Sequence, residues 1–244
     1  MCLQNDHLIL YFLPMKLSLS NHYDQMWQVA APVIKKGNIG QDALIDDPAD
    51  QRYGITLLTR PNAEVAHNIM TFLRQACQLE PEQYFYPQSD LHLTVLSIIS
   101  CYAGFSLLQV DTEAYAEKVQ EALQHIPAFD LEFRGITAST STVLVQGFPG
   151  DDTLELLRNR LRKIFHGSGL QHSIDSRYKI VTAHSTVIRF RQPLREAEQF
   201  WHFLMDHRHT DFGTFTVSGL ELLGNNWYQQ KEKTQYIRRY TLSG

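Results

Sequence analysis

Apolar positions along the chain recur with two spacings, which predict strands and helices in alternation. From residue 53 onward, short apolar runs typical of strands alternate with stretches in which apolar residues recur every three or four positions. Val65, Ile69 and Leu73 show the second spacing, which places all three on one face of a helix that begins after Pro61. Strands are predicted over residues 54–59, 91–99, 129–136, 142–148, 182–190, 212–223 and 234–242, with a turn at 224–226 before the last. Further helices are predicted over 112–125, 152–164 and 194–204, and the whole pattern is typical of an α+β fold.

The order of these elements repeats once within the chain. The strands that begin at residues 54, 91 and 129 recur at 142, 182 and 212, which are offsets of 88, 91 and 83 residues. Such similar offsets favour two copies of a strand–helix–strand–helix–strand unit. We therefore expect a duplicated domain over residues 53–244, with lobes of about 53–140 and 141–244. Residues 1–52, with a short predicted helix over 22–35 and a loop over 36–52, are expected to form a variable N-terminal segment.

The composition is that of an ordinary globular protein and narrows the possible partners. Hydrophobic residues make up 43% of the chain and charged residues 20%, which excludes a disordered, collagen-like or membrane-spanning chain. The apolar run over residues 8–13 is far short of the ~20 residues that a membrane helix needs. With 22 Lys and Arg against 26 Asp and Glu, the net charge is −4, so extensive binding to a nucleic-acid backbone is not expected. The three cysteines form no metal-binding or disulfide pattern, which favours a cytoplasmic location.

Two of the predicted strands carry the same short motif, a histidine followed two residues later by a threonine. The motif occurs at His92 and Thr94 and again at His184 and Thr186. The two histidines lie 92 residues apart, close to the offset of the duplication, so a duplicated fold would place the motifs at equivalent sites. Because side chains at i and i+2 share one face of a strand, each histidine is expected beside its own threonine. One such histidine alone is more often an ordinary core residue, and it is the matched pair that favours a site.

Two imidazoles and two hydroxyls in one cleft would suit acid–base chemistry on a phosphodiester. An imidazole titrates near pH 6.5, so one ring can accept a proton from the attacking oxygen while the other donates a proton to the leaving oxygen. The threonine hydroxyls can donate hydrogen bonds to the non-bridging phosphate oxygens. This chemistry requires neither a metal ion nor another cofactor, and none is predicted. Its expected signature is a bell-shaped dependence of kcat/KM on pH around neutrality.

With this pair of motifs the chain resembles the two-histidine (2H) phosphoesterases, which include RNA 2′,3′-cyclic phosphodiesterases and proteins described as 2′-5′ RNA ligases. The resemblance covers about residues 53–244 and rests on His92-Leu93-Thr94-Val95 and His184-Ser185-Thr186-Val187. It implies two pseudo-symmetric lobes with antiparallel sheets facing a central cleft and helices outside. It also implies that His184 accepts a proton in hydrolysis, that His92 donates one, and that Thr94 and Thr186 bind the phosphate.

Three further residues are candidates for substrate binding. Several members of the family continue the second motif with an arginine, and Arg189 occupies that position here. Strict alternation puts Arg189 on the opposite face of the strand from His184, so it reaches the cleft only if the strand ends or bulges there. Tyr86 and Tyr178 precede the two motifs and could stack on a nucleobase, although each is more simply explained as a partly buried tyrosine.

Two other clusters have simpler interpretations than a site. A basic run on one predicted helix is expected to be its solvated face, although it could steer an anionic substrate; it comprises Arg158, Arg160, Arg162 and Lys163. Three potential metal ligands share one face of a later helix, but their spacing matches no common zinc signature, and no metal site is predicted; they are His202, Asp206 and His209.

The sequence therefore predicts a metal-independent phosphoesterase whose partner is a nucleotide or an RNA end. The expected reaction is the opening of a 2′,3′-cyclic phosphate by water to a 2′-phosphomonoester. Alternative substrates are ADP-ribose cyclic phosphate, a 2′-5′ oligonucleotide and the 3′ end of an RNA. A module that binds nucleotides or RNA ends without turnover is an alternative from another class, and it would show no dependence of turnover on His92 or His184. The sequence does not indicate which oligomeric state the protein adopts.

Overall fold

Five α-helices and nine strands make up the described part of the chain, residues 15–243, in a computed structural model with side chains described from residue 18. The helices are α1 (Met15–Lys35), α2 (Ala63–Leu79), α3 (Thr112–Ala122), α4 (Thr153–Gly167) and α5 (Ala197–Asp206). The strands are β1 (Arg52–Thr59), β2 (Tyr84–Phe85), β3 (Leu93–Ala103), β4 (Phe129–Ala138), β5 (Thr142–Pro149), β6 (Ser185–Arg189), β7 (Asp211–Val217), β8 (Gly219–Asn226) and β9 (Gln235–Thr241). The predicted α+β class is confirmed. The apolar run over residues 8–13 lies outside the described residues, and none of the described helices is long and apolar enough to cross a bilayer.

Helix α2 shows how the apolar spacing produces an element. The Asn62 side chain accepts a hydrogen bond from the backbone N–H of Val65 and so caps the first turn. Val65, Ile69 and Leu73 are buried as the spacing predicts, and the helix packs on β7 and α5. Burial of each such side chain contributes about 1.5–3 kcal/mol relative to exposure, so this face fixes the helix on the second sheet.

The strands form two antiparallel sheets whose arrangement reflects the duplication. The first sheet has the order β3-β1-β8-β9, and the second has the order β2-β6-β5-β4-β7. Strand β1 lies between β3 and β8, and β5 lies between β6 and β4 in the same way. Strands β1 and β3 of the first unit therefore correspond to β5 and β6 of the second, as the offsets predict.

The third strand of each unit crosses to the other sheet. Strand β4 pairs with β5 in the second sheet, and β8 pairs with β1 in the first. The sheets therefore do not follow the expected division into lobes of about 53–140 and 141–244, because each lobe contributes strands to both. Strands β4 and β8 begin at residues 129 and 219, an offset of 90 residues that fits the duplication better than the predicted 83.

Two sequence predictions near the C-terminus are wrong. The predicted strand over 212–223 is two strands, β7 and β8, which separate at Ser218 and belong to different sheets. Strand β7 is half-buried and β8 is mostly buried, so apolar residues continue across the break between them. The predicted turn at 224–226 is the end of β8, because Gly224, Asn225 and Asn226 pair with β1, and this tertiary pairing overrides their turn propensity.

The N-terminal segment packs onto the duplicated part of the chain. Helix α1 is longer than predicted and contacts α5, β4 and β5. The loop after it then reaches the end of β6, where the Asp42 N–H donates to the carbonyl of Phe190. Buried residues of all five helices and both sheets belong to one core cluster.

Candidate active site

One cleft contains all seven candidate site residues. They are Tyr86, His92, Thr94, Tyr178, His184, Thr186 and Arg189. The duplication thus brings together residues that lie about ninety positions apart in the sequence. Ser97, Cys101, Asn225 and Trp227 also line this cleft.

Each histidine lies at the entrance to a strand, one residue before the strand begins. His92 directly precedes β3 and His184 directly precedes β6, so the prediction that both lie inside strands is wrong by one position. Thr94 and Thr186 lie within the strands and are partly exposed to the cleft. Within residues 15–243 neither threonine hydroxyl has a hydrogen-bond partner, so both are available to a ligand.

A bulge follows the threonine in both motifs and turns the strand. In the pairing of β1 with β3, Leu57 opposes Leu96 and Leu58 opposes Thr94, so Val95 is an extra residue. In the pairing of β5 with β6, Val143 opposes Ile188 and Leu144 opposes Thr186, so Val187 is extra in the same way. A bulge shifts the alternation by one position, which is how Arg189 comes to line the same cleft as Thr186.

The two bulges make the cleft asymmetric in charge. Five residues after each histidine, the first motif has Ser97 and the second has Arg189, and both residues line the cleft. The second motif therefore carries the permanent positive charge.

The backbone carbonyls of both bulge residues accept hydrogen bonds from groups outside these two strand pairs. Val95 O accepts from Arg158 Nε at 2.8 Å, and Val187 O accepts from the Tyr86 N–H at 3.0 Å.

His92 is held in one tautomer by the backbone. Its Nδ1 lies 2.7 Å from the carbonyl oxygen of Asp90, and because a carbonyl only accepts, Nδ1 carries the proton and Nε2 is left for chemistry. The pKa of His92 is lowered to about 4, with burial as the largest cause; the Asp90 carbonyl opposes this shift, and the nearby Arg60 and Arg189 contribute to it. The Asp90 carbonyl thus stabilises the protonated ring of His92, whereas burial and the two arginines destabilise it.

His184 has different neighbours. Its Nδ1 lies 2.7 Å from the hydroxyl oxygen of Thr182, which can accept from Nδ1 in the tautomer that leaves Nε2 free. Burial lowers the pKa of His184 to about 4, and the positive charges of Arg158, His92 and Arg189 act in the same direction. These contributions all favour the neutral ring, which is the form that accepts a proton.

Arg158 contacts the backbone beside both histidines, which the sequence analysis did not predict. Expected on a solvated helix face, it is only 4% exposed, because it lies on the face of α4 that also buries Leu154 and Leu161. Its Nη2 donates to the carbonyl of Thr94 at 3.0 Å and to that of Thr182 at 2.9 Å, so one guanidinium ties the two motifs together. The spacing from Leu154 and Leu161 was a signal that could have located it on the core face.

The remaining candidates differ in exposure. Tyr86 is 1% exposed and its hydroxyl accepts from Arg189 Nε at 2.9 Å, so it anchors the arginine and offers no free face for stacking. Tyr178 is 70% exposed at the cleft, where a base could reach it.

Trp227, which the sequence analysis did not single out, also lines the cleft. Its ring centroid lies 4.9 Å from the guanidinium carbon of Arg52 and 4.8 Å from that of Arg177. Across residues 15–243, no group of three or more His, Cys, Asp or Glu side chains could hold a metal ion, the set on α5 included.

Comparisons with known proteins show the family and the fold of this chain. Residues 62–226 match the model of the 2′-5′ RNA ligase superfamily. A solved phosphoesterase structure aligns with a TM-score of 0.55 and 17% identity over 79% of this chain and 99% of its own. LigT of E. coli in complex with NADP+ aligns with a TM-score of 0.52 and 17% identity over 80% and 99%. TT0787 of Thermus thermophilus aligns with a TM-score of 0.56 and 15% identity over 78% and 98%. No curated protein matches the chain.

The fold has two antiparallel sheets, each of which contains strands from both halves of the chain, and it is the fold of the LigT-like phosphoesterases. The chain belongs to the 2′-5′ RNA ligase superfamily, whose model matches well over half of its length. The resemblance to the 2H phosphoesterases is thereby confirmed. Helix α1 and the loop that follows it lie outside the matched residues.

Proposed function

We propose that the protein is a metal-independent phosphoesterase that opens 2′,3′-cyclic phosphates of RNA ends or nucleotides to 2′-phosphomonoesters. The observation that carries the proposal is the pairing of His92 and His184 in one cleft, each beside a threonine hydroxyl without a partner among the described residues. The E. coli LigT structures described as complexes with NADP+ and ATP support a nucleotide-type ligand.

In the proposed reaction, His184 Nε2 takes a proton from water as the water oxygen attacks phosphorus. The bond between phosphorus and the 3′ oxygen breaks, and protonated His92 gives its Nε2 proton to that oxygen, leaving the phosphate on the 2′ oxygen. Thr94 and Thr186 donate hydrogen bonds to the non-bridging oxygens, and Arg189 offsets their charge. Proton exchange with solvent then restores both rings.

The division of roles rests on the surroundings of the two rings. The Asp90 carbonyl stabilises a protonated His92, whereas Arg158 disfavours a protonated His184. The pKa of each ring is lowered to about 4, so the proposed roles rest on these different neighbours and not on a difference between the two pKa values. A bound phosphate monoanion would supply the negative charge that raises the pKa of the donor, because its charge favours the protonated ring.

Hydrolysis of 2′,3′-cyclic AMP in excess EDTA tests the proposal. Each proton transfer contributes about 10²- to 10⁴-fold, so His92→Asn and His184→Asn, or the corresponding alanine variants, should each lose more than about a hundredfold in kcat. His209→Asn, which changes an exposed histidine, serves as the control and should keep wild-type turnover.

Three outcomes would contradict the proposal. Near-wild-type turnover in either cleft variant would exclude the paired mechanism, and loss of turnover in EDTA would exclude metal independence. Absence of turnover in the wild type with retained binding of 2′,3′-cyclic AMP, measured by calorimetry, would instead support the binding module.

A further inference from the structure

The segment that precedes the family match contacts Arg189, which lines the cleft. The loop between α1 and β1 docks on the turn between β4 and β5 through a hydrogen bond from Gly40 N–H to Thr140 O at 2.8 Å, and on the end of β6 through one from Asp42 N–H to Phe190 O at 2.7 Å. Phe190 directly follows Arg189, so this docking delivers a carboxylate from outside the matched residues to the cationic side of the cleft.

The Asp42 carboxylate is shared between Tyr228 and Arg189, of which Arg189 lines the cleft. Its Oδ1 accepts from the Tyr228 hydroxyl at 2.8 Å, and its Oδ2 accepts from Arg189 Nη1 at 3.4 Å. The side chains of Asp42 and Arg189 are only 17% and 15% exposed, so the ion pair is largely removed from water. The Tyr228 hydroxyl in turn accepts from Arg52 Nη2 at 2.9 Å, which fixes the tyrosine that holds the carboxylate.

Asp42 completes a set of contacts that leaves one part of Arg189 free. Tyr86 holds Nε, Asp42 holds Nη1, and the Tyr228 ring lies 5.2 Å from the guanidinium carbon. Within residues 15–243, Nη2 has no hydrogen-bond partner, and Arg189 lines the cleft. An arginine held at Nε, at Nη1 and on one face presents its remaining donors in a fixed direction, and that order lowers the entropy lost when a phosphate binds.

The same N-terminal segment also supports the second histidine. The Tyr23 hydroxyl on α1 accepts from the Ala183 N–H at 3.0 Å and donates to the Gly147 carbonyl at 3.2 Å. Ala183 directly precedes His184. Two separate parts of the segment, α1 and its following loop, therefore contact the backbone or side chains of the second motif.

We propose that Asp42 is a positioning residue of this active site, which holds the Arg189 guanidinium toward the phosphate of the substrate. On this proposal the N-terminal segment is an integral part of the catalytic apparatus. The proposal deepens the phosphoesterase function and rests on it for its kinetic consequence, whereas the ordering of Arg189 by Asp42 does not depend on catalysis.

The kinetic test compares Asp42→Asn with Asp46→Asn on 2′,3′-cyclic AMP. Asp46 is a matched control, because it lies in the same loop but is 58% exposed and pairs at 2.8 Å with Arg191 instead of Arg189. Asp42→Asn should lower kcat at least tenfold with a change in KM below about threefold, because misdirected donors cost more in the transition state than in the ground state. Asp46→Asn should match the wild type within twofold. In an Arg189→Gln background, Asp42→Asn should add less than a twofold effect, because the residue it acts through is gone.

A spectroscopic measurement tests the ordering without substrate. The Arg189 Nε–H resonance, assigned by its loss in Arg189→Lys, should exchange with water at least tenfold faster in Asp42→Asn and at the wild-type rate in Asp46→Asn. If Asp42→Asn fails to fold, Tyr228→Phe takes its place, since it removes only the hydroxyl that Asp42 accepts from.

The outcomes separate the two proposals. A wild-type kcat and unchanged Nε–H exchange in Asp42→Asn would overturn the positioning role. An inactive wild type would overturn the phosphoesterase function, and the exchange rates would still decide whether Asp42 orders Arg189. Accelerated exchange with unchanged kcat would show that the order has no catalytic effect and would likewise overturn the proposal.

Discussion

At the scale of single residues, the two histidines share burial and differ in neighbours. Burial gives each a pKa of about 4, so both rings are neutral at pH 7 in the free cleft. The proposed reaction needs one protonated ring. The protein therefore reaches its reactive state only when the substrate brings negative charge into the cleft, or when the pH is low.

This protonation state predicts different pH profiles for kcat/KM and kcat. Because kcat/KM reports the free enzyme, it should fall toward tenfold per pH unit above about pH 5, since the fraction of enzyme with one protonated ring falls in that way. The kcat profile reports the complex, in which bound phosphate raises the pKa of the donor, so its optimum should lie at higher pH. Initial rates on 2′,3′-cyclic AMP from pH 4.5 to 8.5 measure both profiles, with circular dichroism at each pH to establish that the protein is folded. A kcat/KM profile that is bell-shaped around neutrality, as the sequence alone predicts, would contradict these pKa shifts.

The residues that the sequence could identify are those whose chemistry and spacing coincide. His92 and His184 carry the same motif at the spacing of the duplication, and so they stand out. Asp42 carries no such signal, because its role depends on where a loop docks on a distant strand. Arg158 is an intermediate case, since its helix face was predictable but its three carbonyl partners were not.

At the scale of elements, close backbone approach holds the second motif in place. Strand β5 passes directly beneath the residue before His184, and a Cβ at Gly147 would lie 1.8 Å from the carbonyl oxygen of Ala183. No side chain fits there, so glycine allows the contact on which the Tyr23 hydrogen bonds also depend.

Substitution of this glycine should disturb both stability and activity. Gly147→Ala forces Ala183 away from β5, which should cost about 1–3 kcal/mol of unfolding free energy by overpacking and lower kcat at least tenfold by shifting His184. Urea unfolding and turnover of 2′,3′-cyclic AMP measure the two effects. Gly167→Ala is the control, because a Cβ there meets nothing within 4 Å at the end of α4, and it should leave both quantities unchanged or raise stability slightly. Equal behaviour of the two variants would mean that β5 does not fix the motif.

The sequence predicted the elements whose position depends on local apolar periodicity, and it did not predict the features that depend on pairing with a distant strand. The apolar spacing located α2 and the central strands of both sheets, because their burial follows from local periodicity. The bulges at Val95 and Val187, and the exchange of β4 and β8, depend on pairing between strands far apart in sequence. Arg189 reaches the cleft because of the bulge at Val187. The sequence showed that a bulge or a strand end was required there, but it did not show that the bulge exists.

At the scale of the whole molecule, exchanged strands and the N-terminal segment join both sheets around one core. Each sheet contains strands from both halves of the sequence, and α1 adds Trp27, Ala30 and Ile34 to the same core cluster. His92 is buried and His184 is partly buried within this shared structure, so their protonation is linked to global unfolding rather than to the loss of one lobe.

The linkage predicts that the protein loses stability as the pH falls below about 6.5. In the unfolded chain each histidine titrates near pH 6.5, whereas in the fold it titrates at about 4, so between these values the unfolded state binds more protons. The contribution is fully present above pH 6.5 and is lost progressively down to pH 4, by at most about 3.5 kcal/mol per histidine at about 1.4 kcal/mol per pKa unit. Urea unfolding between pH 7 and 4.5 should therefore show that the unfolding free energy of the wild type falls more steeply than that of the double variant His92→Asn/His184→Asn.

The control is His209→Asn, which changes an exposed histidine and should follow the wild type. His172, whose pKa is also lowered by burial, is retained in all three proteins. Parallel curves for the wild type and the double variant would mean that the two rings are accessible to protons in the folded state, and the acid shift expected for kcat/KM would then be absent as well.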